Sequence, residues 1–217
     1  MKDAILQYAI QGKLTEQLES DGDARDLLNE IQKEKVPLIK EGKTKNEKLF
    51  PEITEDEIPF DIPENWSWVR LGEVISVSSG KGLTQNNMDK QGVYPVYGGN
   101  GINGNHNEWF VSKDTLVIGR VGFYCGCVHK TIGDCWVTDN ALIVNVKESL
   151  YTLDFLRLVL DLLDLKNTSV ATAQPVISGM RIYPRIIPVP PIAEQKRIVE
   201  CLNKLLPLCD SLELSFT

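Results

Sequence analysis

Residues 116–146 read LVIGRVGFYCGCVHKTIGDCWVTDNALIVNV, and their texture decides the fold. Apolar runs of strand length, LVIG, CVHK and ALIVNV, stand between glycines and polar turns. That is the pattern of short strands, since an amphipathic helix would repeat its apolar residues every three or four positions. The same texture reaches back through WVRLGEVISV (68–77) and YPVYGG (94–99). Outside this block the chain turns helical. Thr152 is placed to cap a helix running to about Lys166, with Phe155, Leu156, Val159, Leu160 and Leu163 on its buried side. Near the start, residues 2–11 carry Ile5, Leu6, Ala9 and Ile10 on one face, and residues 24–41 carry Leu27, Leu28, Ile31 and Leu38, with Pro37 expected to kink the second helix. The run from 43 to 65, rich in Glu, Lys and Pro, reads as a linker.

At the far end PPIAEQKRIVECLNKLLPLCDSLEL (190–214) opens on prolines suited to a helix start. Ile198, Leu202, Leu205, Cys209 and Leu212 fall at spacings of 4, 3, 4 and 3, an a/d seam. Two heptads do not stand alone in water, so this helix needs a partner. Residues 2–41 are the nearest one, with Leu28 and Ile31 as contact residues, and docking on the core as an ordinary surface helix is the other reading. The expected fold is α+β: a mixed, twisted β-sheet with a packed helix, beside helical coiled-coil arms.

Composition narrows the class. The chain has 217 residues, 42% hydrophobic and 24% charged, within the range of folded globular domains. The longest apolar stretch, LRLVLDLLDL, is broken by Arg157, Asp161 and Asp164, which excludes a membrane helix there. The opening MKDAILQYAIQGKL lacks a small-residue cleavage site, so no export is expected and the cytoplasm is the expected compartment. Five cysteines without framework spacing agree with reducing surroundings. Net charge is −7, yet residues 66–190 hold 11 Lys and Arg against 10 Asp and Glu, leaving 12 basic and 20 acidic residues on the flanks. A neutral middle can still meet DNA through a local patch, while acidic arms face protein.

The chemistry-bearing residues lie in loops. Between Ser78 and Trp109, Lys81, Thr84, Gln85, Asn86, Asn100, Asn103, Asn105 and His106 stand among glycines. Asn and Gln pair with N6 and N7 of adenine, Lys with guanine O6 and N7, and Gly lets the backbone approach closely. Asn and Gly equally supply turns at positive φ. Arg120 sits between glycines after an apolar strand, poised to reach phosphate or base, or else to pair with Asp139 or Glu108. Tyr124 and His129 extend that surface or pack within it. Thr172 and Gln174, in TSVATAQPVIS, suit phosphate contacts or a solvated loop. Cys125, Cys127 and His129 alternate, with Cys135 near, so zinc is conceivable, but paired C-x-x-C spacing is missing and packing thiols are the better reading. No P-loop, G-x-S-x-G or H-E-x-x-H motif occurs, no G-x-G-x-x-G leads from a strand into a helix, and Glu194-Gln195-Lys196 lies in an expected helix without a partner acid, so no catalytic residue is assigned.

Taken together, ILQYAIQGKL (5–14), LLNEIQKEKVPLIKEGK (27–43), ITEDEIPFDIPENWSWVRLGEV (53–74), YGGNGINGNHNEWFV (97–111), LVIGRVG (116–122), ATAQPVISG (171–179) and the closing 187–213 resemble the specificity subunits of Type I restriction-modification enzymes. The resemblance implies target-recognition domains separated by helical regions that pack as antiparallel arms, each domain reading one half of a split duplex site. On this chain it implies a helical conserved-region arm at 1–42, a linker at 43–65, a target-recognition domain at 66–190 and the start of a second conserved-region helix at 191–217. It further implies a non-catalytic chain with no cofactor or metal of its own, docked to modification subunits that bind S-adenosylmethionine, with ATP- and Mg-dependent restriction subunits joining the complex. A single recognition domain is expected to work as a homodimer, or else to serve as a silent assembly module that binds subunits without reading DNA.

Overall fold

The structure, a computed structural model, describes residues 1–29, 50–147, 149–168 and 176–215. Its strands are β1 (Ser67–Arg70), β2 (Ile75–Ser79), β3 (Tyr94–Gly98), β4 (Gly101–His106), β5 (Leu116–Gly119), β6 (Val128–Lys130), β7 (Trp136–Val137), β8 (Ala141–Val146) and β9 (Ile186–Val189). Its helices are α1 (Lys2–Ile10), α2 (Leu71–Val74), α3 (Leu153–Leu162), α4 (Gly179–Ile182) and α5 (Ile192–Ser215). The α+β class is as expected. The single mixed sheet is instead three smaller ones: β1-β9, antiparallel β2-β8-β5-β6, and β4-β3-β7, in which β3 and β7 run parallel. The chain divides into two compact units, Met1–Arg70 with Lys147–Phe155 and Ile186–Thr217, and Leu71–Val146 with Leu156–Arg185.

In the first unit α5 lies against α1, and Lys2 forms an ion pair with Asp210. Ile198, Leu202 and Cys209 of the seam are buried, Leu205 is half-buried and Leu212 is exposed. Leu28 is half-buried in a helical stretch at 24–29, while Ile31 and the rest of the expected 24–41 helix lie outside the described residues. Two adjacent side chains at the head of α5 hold the unit together. Glu194 accepts from Trp66 Nε1 (2.7 Å), Gln17 Nε2 (2.6 Å) and Thr15 Oγ1 (3.1 Å). Gln195 donates to Leu150 O (2.7 Å) and Pro190 O (2.9 Å) and accepts from Thr152 N (2.8 Å). Both side chains are fully buried, and burying such groups is tolerable only with this degree of satisfaction. Glu194 and Gln195 therefore form a structural clamp. Arg197 adds a forked pair to Asp21 (2.7 and 2.6 Å).

Of the expected linker 43–65, residues 43–49 lie outside the described part, and the remainder is tied down. Thr54 and Glu57 form a capping box on the 3-10 turn Glu55–Glu57, and the Phe60 and Trp68 rings meet edge to face at 5.0 Å. Buried Arg70 donates to both oxygens of Glu57 (2.6 and 2.7 Å). The Arg70 guanidinium, helped by the Thr54 backbone, pulls the Glu57 carboxyl down to about 2 from 4.5. A carboxyl lowered on folding contributes stability that is present above pH 4.5 and lost as pH falls through about 2. Melting temperature followed across that window should therefore drop more steeply for the parent chain than for Glu57→Gln; equal acid slopes would remove the pair from the account.

WVRLGEVISV is not one strand, and the division between the two units falls within it, after Arg70. The Leu71 and Gly72 amides donate to Arg185 O (2.7 Å) and Tyr183 O (3.0 Å), which breaks the run into β1, the turn α2 and β2. Tyr97, Val117, Cys135, Val137, Ala141 and Ile143 form a core cluster with Phe110 and Val111 packed on it. The segment GINGNH, expected as loop, is strand β4. Its poor intrinsic strand-formers are held by a hairpin with β3, in which Gly101 closes the turn at φ +84°.

Candidate nucleic-acid interface

Three of the expected polar loops converge in the second unit, and glycines make the approach possible. A Cβ at Gly80 would lie 2.2 Å from Thr138 O, and one at Gly99 would lie 3.3 Å from Asn140 O. A Cβ at Gly119 would lie 2.2 Å from Tyr124 O and 2.6 Å from Gly99 O. The 137–140 backbone thus touches both Gly80 and Gly99, and Gly99 touches Gly119, with the approaches at Gly80 and Gly119 closer than a Cβ permits.

Beside this knot opens a concavity of about 440 Å³, lined by Gly82, Leu83, Thr84, Gln85, Asn87 and Met88 from one segment, Asn103 from β4, and Thr138, Asp139 and Asn140. Thr84, Gln85 and Asn103 are exposed at it, and Asn86 is exposed on the adjoining 3-10 turn Gln85–Asn87. Gly98 leaves room for the Asn103 amide, whose Nδ2 a Cβ there would meet at 2.0 Å. Arg120 borders the same place. Its amide donates to Asn140 O (2.9 Å), and its Nη1 lies 3.3 Å from Ser79 Oγ and 3.5 Å from Asp139 O. These described partners are neutral oxygens, so the guanidinium charge is not spent on the Asp139 or Glu108 carboxylates weighed from sequence.

Other expected residues lie apart from the concavity's lining. Lys81 Nζ sits over the rings of Phe110 (4.3 Å) and Trp136 (5.9 Å), and His106 meets Trp136 edge to face at 5.4 Å, so both belong to an aromatic group around Trp136. Asn100 is exposed at the β3–β4 turn, and Asn105 is exposed opposite Pro95. Tyr124 is exposed on the Arg120 loop. Thr172 and Gln174 lie outside the described residues. The flanking Val176 bridges Val121, and Ile177 N donates to Arg120 O (2.9 Å), so the chain rejoins the Arg120 loop after that segment. Thr138, Asp139 and Asn140 went unassigned because they stand between strand-like runs; the TDN triplet, rich in turn formers, is the signal that marks them.

The cysteines do not share one strand face. Only residues 128–130 are extended; Cys125 and Cys135 are buried and Cys127 is exposed. Burial raises the thiols of Cys125 and Cys135 above their usual value, which disfavours the thiolate a metal needs. Burial, with Arg157 nearby, lowers His129. Among the described residues no three His, Cys, Asp or Glu side chains gather to hold a metal, and no helix is long and apolar enough to cross a membrane.

Comparison with known proteins bears on what such a surface belongs to. The family model described as the Type I restriction modification DNA specificity domain matches residues 63–213. The chain belongs to this family. The EcoEI and EcoAI Type I specificity subunits of Escherichia coli are 27% and 26% identical to it, each match covering 98% of this chain. The matches take in only 41% and 40% of those proteins, so the chain spans about two fifths of the length of these Type I specificity subunits. The crystal structure of the S subunit from M. genitalium shares the fold, with a TM-score of 0.58 at 18% identity over 72% of this chain and 42% of that one.

Proposed function

We propose that this chain is the sequence-reading component of a Type I restriction-modification system, recognising one half of a bipartite duplex site through the polar loops of its second unit. Membership of the DNA specificity family gives the class. The observation that carries the reading is the convergence of amide-bearing loops and Arg120 at one concavity. Gln85 and Asn103 present bidentate amides of the kind that pair with adenine, Arg120 presents a fork for guanine or phosphate, and Asp139 presents an acceptor for cytosine N4. Thr84, Asn86, Asn100 and Tyr124 extend the contact, and Thr172 and Gln174 are proposed as phosphate contacts from their residue chemistry alone. Lys81, Asn105 and His106 frame the surface. The second unit carries 9 basic against 8 acidic residues, so phosphate attraction is weak and tight binding depends on partner subunits embracing the DNA.

In this reading the chain carries no catalytic centre, cofactor or metal. Modification subunits dock on the helices of the first unit and supply S-adenosylmethionine chemistry, and the restriction subunit brings ATP and Mg. Ile198, Leu202, Leu205, Cys209 and Leu212, with Leu28 and Ile31, are the residues proposed for the subunit or dimer interface. Two copies of the chain pair in the complex, and a two-fold pair reads an inverted repeat. The system operates in the cytoplasm.

The test is competition binding by the chain assembled with its modification subunits, on duplexes of different sequence across a salt series. One sequence should be preferred, with an affinity that falls as salt rises. Arg120→Ala should weaken binding to that sequence by about 10- to 100-fold, the equivalent of roughly 1–3 kcal/mol, and narrow the gap to other sequences. An assembled complex that binds every duplex alike would favour a silent assembly module.

A further inference from the structure

Phe123 projects from the Arg120 loop with 79% of its surface exposed, and Tyr124 beside it with 43%; their rings meet edge to face at 5.1 Å. The backbone beneath them is tied at both ends. Gly126 N donates to Gly119 O (2.8 Å), Gly119 N to Cys127 O (2.8 Å), Cys125 N to Gly122 O (3.0 Å) and Cys127 N to Tyr124 O (3.1 Å). The buried Cys125 thiol donates to Arg120 O (3.3 Å), and Gly122, at φ +78°, sets the turn that turns Phe123 outward. An aromatic side chain presented in water on so firmly bonded a loop is the form of a contact anchor, since its apolar area is recovered only against a partner.

Charge selects the partner. Residues 119–130 include Arg120 and Lys130 and no Asp or Glu, and Lys166 Nζ stands 5.0 Å from the Phe123 ring centroid. A ring attended by cations suits an anionic polymer with apolar groups between its charges, and the loop's bonds to Asp139 and Asn140 connect it to the proposed base-reading concavity. In the major groove the apolar group on the base edges is the thymine 5-methyl, and Phe is among the side chains that meet it.

We propose that Phe123 is a specificity-determining residue that contacts the 5-methyl group of a thymine in the recognised half-site, with Lys166 answering the adjacent phosphate. The assignment rests on the DNA-reading function above. It predicts discrimination by a methyl group alone. In the assembled complex, replacing one particular thymine of the preferred duplex by deoxyuridine, which keeps base pairing and removes the methyl, should weaken binding about fourfold. Phe123→Ala should weaken binding to the thymine duplex by about tenfold or more and bind the thymine and deoxyuridine duplexes equally, while Phe123→Leu should keep the preference. The side chain is exposed, so thermal melting of the variants should match the parent. A parent complex with sequence preference whose affinity is unmoved by every thymine replacement overturns the assignment, as does an alanine variant that keeps the preference for thymine. A parent complex without any sequence preference overturns the recognition function itself and this assignment with it.

Discussion

Replacing Glu194 by alanine is expected to lower the unfolding free energy by roughly 3–4 kcal/mol, because three donors at a buried site lose their acceptor at once. Trp66 Nε1, Gln17 Nε2 and Thr15 Oγ1 all end on this carboxylate. Glu194→Gln keeps one acceptor oxygen but turns an NH₂ group toward donors, so it should fall between the two. Chemical denaturation followed by tryptophan fluorescence reports the order, since Trp66 is itself a partner. An alanine variant within about 0.5 kcal/mol of the parent, the range of ordinary surface changes, would show that the clamp does not hold the unit together.

The same residue has a pH signature opposite to that of Glu57. Burial pushes the Glu194 carboxyl up, and the hydrogen bonds from Trp66, Gln17 and Thr15 only partly oppose this. A carboxyl raised on folding contributes stability that is fully present below its ordinary value of 4.5 and lost as pH rises through the raised one. Glu194→Gln should remove that decline, whereas Glu57→Gln removes the loss at the acid end.

The second large effect is expected at Gly119. Its substitution by alanine drives a Cβ into two carbonyl oxygens, Tyr124 O at 2.2 Å and Gly99 O at 2.6 Å, both backbone and neither able to swing aside. The 98–101 and 119–126 segments must part, at a cost of about 3 kcal/mol, and sequence-specific binding should fall with them. Gly122→Ala is the control. It has positive φ, at +78°, but open space within 4 Å, so only the conformational cost of about 1 kcal/mol applies. Equal destabilisation by the two variants would mean that close approach does not organise the loops.

Why the sequence discloses some of this and not the rest is a matter of range. Strands such as LVIG and ALIVNV and the helix from Leu153 announce themselves by local pattern, and Thr152 Oγ1 does accept from Phe155 N (3.4 Å) as its cap. The hairpin strand β4 is hidden because Gly and Asn argue locally for a turn, and only pairing with β3 overrides them. Gly80, Gly99 and Gly119 read as turn residues when their requirement is the nearness of other backbones, a relation between segments far apart in sequence. Glu194 and Gln195 look like solvated helix residues because their partners, Thr15 and Trp66 among them, lie far away along the chain. Phe123, surrounded by apolar letters, looks like core, and its exposure depends on how Gly122 turns the chain.

The most direct test of DNA reading by the second unit is a genome-wide map of methylated adenines in cells that express this chain with its cognate modification subunit, set beside cells expressing the Gln85→Ala, Asn103→Ala double variant. The account predicts a new methylated motif with the parent chain, and with the variant a motif that is lost or degenerate at particular base positions although the complex still assembles. An unchanged motif in the variant, or an assembled parent complex that adds no motif, would contradict it.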